Sequence, residues 1–210
     1  MNSNRLFHIL SFYLPWIISI GTILTVASDV ITICLNPQYN PISESISDLI
    51  LYPHGWIIKI SISVMVVIHL LLAMTILSSP TSRRHCLIKL AGIIFTIIGF
   101  GLIIVIAFNS DPGKQISSLA GGIHITTAIV ISFLFPIACG LLAIALWHHR
   151  KSESLIIFSA IVAVVSLVIA YLTMPHNDFG AFGICERLLA FTNMSWLVMA
   201  GFRLPRLLSA

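Results

Sequence analysis

From Leu90 to Phe108 the chain runs nineteen residues without a charged side chain. A helix of about 20 residues, rising 1.5 Å per residue, matches the roughly 30 Å of hydrocarbon in a bilayer. In a soluble protein such a helix, apolar on every side, must be enclosed by a large core. Five further stretches of similar character share the same 210 residues, and a chain of this length cannot enclose six of them in protein. Lipid has to do so. Composition agrees, because only 9% of residues are charged where a soluble domain carries about 25%. A soluble fold, a disordered chain and a collagen-like repeat are excluded. Nucleic-acid binding is excluded with them, since the eleven Lys and Arg are dispersed among apolar runs and make no basic patch.

The stretches fall at about 6–28, 56–79, 87–108, 122–147, 154–174 and 184–203, divided by turn signals such as Asn36-Pro37, Ser79-Pro80, Asp111-Pro112-Gly113 and Met174-Pro175. Lipid offers backbone groups no partner, so each span is a helix or a barrel strand, and the runs lack the alternation of strands. The predicted fold class is therefore all-α integral membrane: one domain over 1–210, a bundle of six transmembrane helices. The first run is read as an anchor rather than a cleaved signal peptide, because its roughly 22 apolar residues exceed the 7 to 15 of a signal core.

Six spans place both termini on one side, together with Arg5, Arg83, Arg84, Lys89, Arg150, Lys151, Arg203 and Arg206. Lys59, Lys114 and Arg187 lie opposite. Eight cations against three, in short connections, predict cytoplasmic termini in a cytoplasmic membrane. Of the seven acidic residues only Glu153 falls inside, while Asp29, Glu44, Asp48, Asp111, Asp178 and Glu186 gather at the outer end. That concentration places the candidate site there.

The first outer connection predicts a short interfacial helix over about 41–52. Asn40 is a suitable N-cap, Pro41 suits the first helical position, and Pro53 with Gly55 ends the helix. Ile42, Ile46, Leu49 and Ile50 then share one face, and Ser43 stacks on Ser47 as Glu44 stacks on Asp48. Helix six opens with Arg187, a cation on the side that the bias disfavours. A carboxylate partner is expected for it, Asp48 or Asp111 rather than Glu186, whose adjacent position points elsewhere on a helix. His124 follows Gly121-Gly122 at the start of span four, and His69 lies deep in span two. His69 as a haem ligand lacks an opposing histidine at its depth. His54, His124 and His176 are the candidate ligands for zinc or another divalent metal, but they come from separate segments without metal-site spacing, so no cofactor is assigned. Cys34 and Cys185 lie near one end and allow a bridge, but free thiols are the commoner case for such residues.

Four short segments in order, I-S-E-S-I-S-D-L over 42–49 with Gly55-Trp56, F-N-S-D-P over 108–112, Gly-Gly-x-His over 121–124 and G-x-x-E-R over 183–187, resemble the multi-pass membrane proteins grouped as domain-of-unknown-function family 998. The likeness covers essentially the whole chain, with Asn109 standing where the pattern has Pro. It implies about six spans and attaches no activity.

The functional expectation is an outward-facing polar pocket that binds or moves a lipid headgroup or small polar ligand, built from Ser43, Ser47, Asp48, Asp111, His124, Glu186 and Arg187. Arg187 is expected to hold an anionic group and His124 to add a pH-sensitive hydrogen bond. Membrane lipids are the expected partners, and a homo-oligomer or another membrane protein stays open. Two alternatives remain. One is a metal-dependent lipid hydrolase with metal on His54, His124 or His176 and Asp48 or Asp111 as base. The other is a structural partner of other membrane proteins.

Overall fold

The computed structural model describes residues 3–83, 85–112, 116–148, 153–174 and 180–209. His176 and Asp178 of the outer cluster, and Arg84, Lys114, Arg150 and Lys151 of the cation count, lie outside the described residues. Among the described residues the fold is entirely helical: α1 (Ser3–Leu35), α2 (Ile46–Leu49), α3 (Trp56–Ser78), a 3₁₀ turn (Thr81–Arg83), α4 (Cys86–Ala107), α5 (Leu119–His148), α6 (Glu153–Leu172) and α7 (Phe182–Leu208).

Five of these, α1, α3, α4, α5 and α6, are long and apolar enough to cross a membrane. The 27-residue helix α7 is the least apolar of the long helices, because Glu186, Arg187, Asn193, Arg203 and Arg206 all lie in it. Helices α1 and α5 outrun the expected spans, to Leu35 and from Leu119. Hydropathy marks the part of a helix that needs lipid, whereas backbone hydrogen bonding continues for several turns into water, and this extension carries Asp29 beyond the first apolar run.

Each long helix packs on its neighbours in the chain, α1 on α3, then α3 on α4, α4 on α5, α5 on α6 and α6 on α7, and contact between α7 and α1 closes the ring. Close approach along α4 depends on glycine: a methyl at Gly99 would meet Leu70 of α3 at 2.7 Å. At the centre Phe95 stacks on Trp196 with ring centroids 5.5 Å apart, and Phe135 stands edge-on to both. The Trp196 indole donates to Ser159 Oγ at 2.8 Å, which satisfies the one polar atom of this buried ring. The outer wall is lined by exposed large apolar residues such as Phe12, Trp16, Ile23, Phe100, Val164 and Val168, a surface that lipid, not water, solvates. All four cysteines are free thiols, so Cys34 and Cys185 form no bridge.

The interfacial helix is shorter than 41–52 and starts elsewhere. Only Ile46–Leu49 is helical, and its N-cap is Ser45 rather than Asn40. Ser45 and Asp48 form a reciprocal capping box: the Asp48 amide donates to Ser45 Oγ at 2.9 Å and the Ser45 amide donates to Asp48 Oδ2 at 3.1 Å. That pairing satisfies two orphan donors, whereas Asn40 spends its side chain on a turn, accepting from the Ile42 amide at 3.0 Å. Glu44 therefore precedes the helix and does not stack on Asp48. It accepts instead from the Tyr52 hydroxyl at 2.8 Å.

Candidate functional site

The loop over 39–49 lies across one end of the ring and is tied to the first turn of α7. The Ile46 amide donates to Glu186 Oε2 at 2.6 Å, and the Ile184 amide donates to Ile42 O at 3.2 Å. Gly183 makes this fit possible, since any Cβ there would overlap the carbonyl oxygens of Glu44 and Pro41. A second join forms between the other two motifs. His124, 2% exposed, donates from Nδ1 to Phe108 O at 2.7 Å and to Val105 O at 3.1 Å. Asp111 accepts from the amides of Ser117 and Ser118, both at 2.8 Å, and from Ser118 Oγ at 2.7 Å. Ser118 in turn accepts from the Gly121 amide and opens α5. Ser110 Oγ donates to Ser47 O at 3.2 Å and joins the two halves.

Arg187 sits where these elements meet. The carboxylate that holds it is Asp29, not Asp48 or Asp111: Nε donates to Oδ2 at 2.9 Å and Nη2 to Oδ1 at 3.2 Å. Nη2 also donates to the Tyr39 hydroxyl at 2.8 Å, and Nη1 to the carbonyls of Pro41, Gly183 and Glu44 at 3.0, 3.2 and 3.4 Å. Every N–H of the guanidinium is thus engaged by protein. An anion reaching Arg187 would have to displace Asp29 or unseat the loop. Burial pushes the titration of the Tyr39 hydroxyl up, so it keeps its proton for the carbonyls of Ser45 and Glu44.

Behind the loop a cavity of about 510 Å³ descends inside the ring. That volume falls within the range of small-molecule pockets. Its walls are mostly aliphatic, from α1, α3, α4, α5 and α7, and its floor includes His69 and Phe135 beside the aromatic cluster. A smaller space of about 90 Å³ at the mouth is lined by Ser45, Ser47, Asp48, Ser110, Asp111, His124 and Glu186 among others. Ser47, Asp48, Asp111, His124, Glu186 and Arg187 thus converge on the two spaces, which share Ser47, His124 and Glu186 in their linings. Ser43 does not: it is exposed and lines neither, whereas Ser45 lines the mouth beside Ser47. His54, in a turn with a left-handed φ of 65°, is exposed and also lines neither. Among the described residues no three of His, Cys, Asp and Glu are grouped as a metal site.

Asp29, Tyr39, Ser45, Ser132 and Asn193 belong to this region beside the expected residues; Asp29 is marked in the sequence only as one of the acidic group at that end, and not as the partner of Arg187. Only Ser45 carried a local signal, the Ser-x-x-Asp capping pattern shared with Asp48. The hydrogen bonds from Ser118 and Ser117 hold the Asp111 carboxyl below the usual carboxylate range. A depressed carboxyl supports the fold above its ordinary value near 3.9 and loses that support as pH falls through its lowered value. The protection of amides 117–122, taken relative to intrinsic exchange at the same pH, should accordingly fall in acid, and Asp111→Asn should remove most of that pH dependence.

Fold and site together define a polytopic membrane protein whose sequence motifs all meet at one end of a helical ring. Residues 19–203 match the family described as "Protein of unknown function (DUF998)", and the chain belongs to that family. Comparison with curated proteins and with solved structures gives no match.

Proposed function

We propose that this protein crosses a cytoplasmic membrane six times, with α7 as the sixth span and both termini in the cytoplasm, and that it binds or moves a lipid-like amphiphile through an outward-facing pocket. One observation carries this reading. Val26 of α1 and Leu188 and Phe191 of α7 line the cavity and are each at least 40% exposed, which supports a side opening along the α1–α7 seam. The seam is closed above by Asp29 and Arg187 and below where Gly201 packs on Ile18 and Pro15. Asp29 and Ile18 are eleven residues apart, or about 16 Å along a helix, which is about half the roughly 30 Å hydrocarbon thickness. A window of that height faces one leaflet. An acyl chain entering through it meets aliphatic walls, while its head stays under the polar loop.

Filling the cavity tests this. Ala128 lines both spaces, and Ala128→Trp should remove most of the lipid that mass spectrometry detects with the purified protein while leaving its melting temperature within a few degrees. Unchanged lipid content would refute the reading. The orientation has its own test, after the four native cysteines are replaced. Ile42→Cys, at an exposed loop position, should react with an impermeant thiol reagent added to intact cells, and Ser209→Cys, exposed at the far end of α7, should not. Reversed labelling would invert the topology.

A further inference from the structure

The charged groups facing the cavity and its mouth are unequal in number, and the neutral side-chain donors beside them include the Ser132 hydroxyl and the Asn193 amide nitrogen, whose oxygen already accepts from Ser166. Four carboxylates, Asp29, Asp48, Asp111 and Glu186, line the two spaces against one guanidinium, Arg187, which Asp29 neutralises. Glu186 and Asp48 are each anchored through one oxygen by a backbone amide, of Ile46 and Ser45 respectively, which leaves the second oxygen of each as a free acceptor. The histidines add to the excess. His124 and His69 both donate from Nδ1 to backbone carbonyls, so in the neutral rings Nε2 carries a lone pair. Both side chains are at least nine-tenths buried. Among the described residues the sealed polar side-chain atoms without a partner are Thr22 Oγ1 and Asn36 Oδ1. His124 Nε2 and His69 Nε2 are not among these sealed atoms, and both residues line the cavity.

Buried lone pairs and carboxylate oxygens require a donor. A phosphate or carboxylate head would bring more acceptors and more negative charge to a mouth whose one cation is already spent. We infer that the ligand is an amphiphile with an ammonium head, an alkyl amine or amine-headed lipid, whose N–H groups bond to Glu186 and to His124 Nε2 while its chain occupies the aliphatic cavity. This rests on the amphiphile-binding reading above and adds the chemistry of the head. It reverses the expectation that Arg187 recruits an anion.

The test uses the full chain in phosphatidylcholine nanodiscs, titrated with dodecylammonium, dodecyl phosphate and the neutral dodecyl maltoside, with binding to empty nanodiscs subtracted. Dodecylammonium should bind about tenfold or more tightly than either of the others, the scale of one charge pair at a partly shielded site. Glu186→Gln keeps an oxygen for the Ile46 amide and removes the charge, so it should abolish most of the preference. Should that variant fold poorly, Ser47→Lys places a competing cation at the mouth and should turn the preference toward dodecyl phosphate. Equal binding of the three probes, or tighter binding of the phosphate, would overturn the inference. If that binding were still lost in Ala128→Trp, the amphiphile pocket would stand and only the head chemistry would fall. If Ala128→Trp changed no binding, the pocket itself would be refuted.

Discussion

Arg187→Leu should destabilise the protein by about 3 kcal/mol and release the loop over 39–49, whereas Asp29→Leu combined with Arg187→Leu should recover part of that loss. The single replacement leaves Asp29 without its cation and takes donors from the carbonyls of Pro41, Glu44 and Gly183. Breaking a buried pair on one side costs about 3 to 5 kcal/mol, while replacing both members by apolar groups is often close to neutral. The pair here is 19% and 21% exposed, which puts the effect at the lower end of that range. Recovery in the double variant is incomplete because the three carbonyls stay short of donors. Thermal unfolding, with protease cleavage within 39–55 as the local readout, separates the outcomes. A double variant as unstable as the sum of the two singles would show that the residues act independently and that the ion pair is not what seats the loop.

Gly183→Ala should have an effect of similar size from a single methyl group. Its Cβ would fall on two backbone carbonyl oxygens of the loop, and backbone cannot rotate away as a side chain can. Overpacking of this kind costs about 1 to 3 kcal/mol, and here the displaced element also carries the Ile46 bond to Glu186. The loop should lift, with faster protease cleavage and loss of bound lipid. Gly140→Ala is the matched control. Its added Cβ would rest 3.9 Å from Ala163, an ordinary contact, and alanine is the better helix former by up to about 1 kcal/mol. Wild-type cleavage in Gly183→Ala would mean that the loop is not seated on α7 through this contact.

Both predictions depend on residues whose importance was unevenly visible beforehand. Arg187 stands out in the sequence because it opposes the charge bias at the start of an apolar run, and a partner carboxylate could be expected on desolvation grounds alone. Which carboxylate is a different matter. Asp29 lies in the first apolar helix, 158 residues away, and becomes the partner only because α1 closes the ring against α7. The capping box shows the reverse situation. Ser45 and Asp48 have a purely local signature, yet Asn40-Pro41 offers a competing start to the same helix. Contacts with α7 then decide between them: Arg187 and Ile184 take the carbonyls of Pro41 and Ile42 into a turn, and Glu186 takes the Ile46 amide.

What the sequence determined by itself follows from short-range physics. Uninterrupted apolar runs of spanning length must be helices in lipid, because no other open conformation satisfies its own backbone there. Successive antiparallel helices must alternate ends, so motifs after the first apolar run, after the third, before the fourth and before the sixth are bound to share one end. What only the tertiary structure decided is everything that depends on which helices touch: the Asp29 pairing, the seat for the loop at Gly183, and the cavity with its opening between α1 and α7. Hydropathy is blind to these because all sides of the helices are apolar, and lipid tails compete with protein for the same surfaces. Packing of small residues such as Gly99 and Gly201, and the few polar groups at the helix ends, then choose the neighbours.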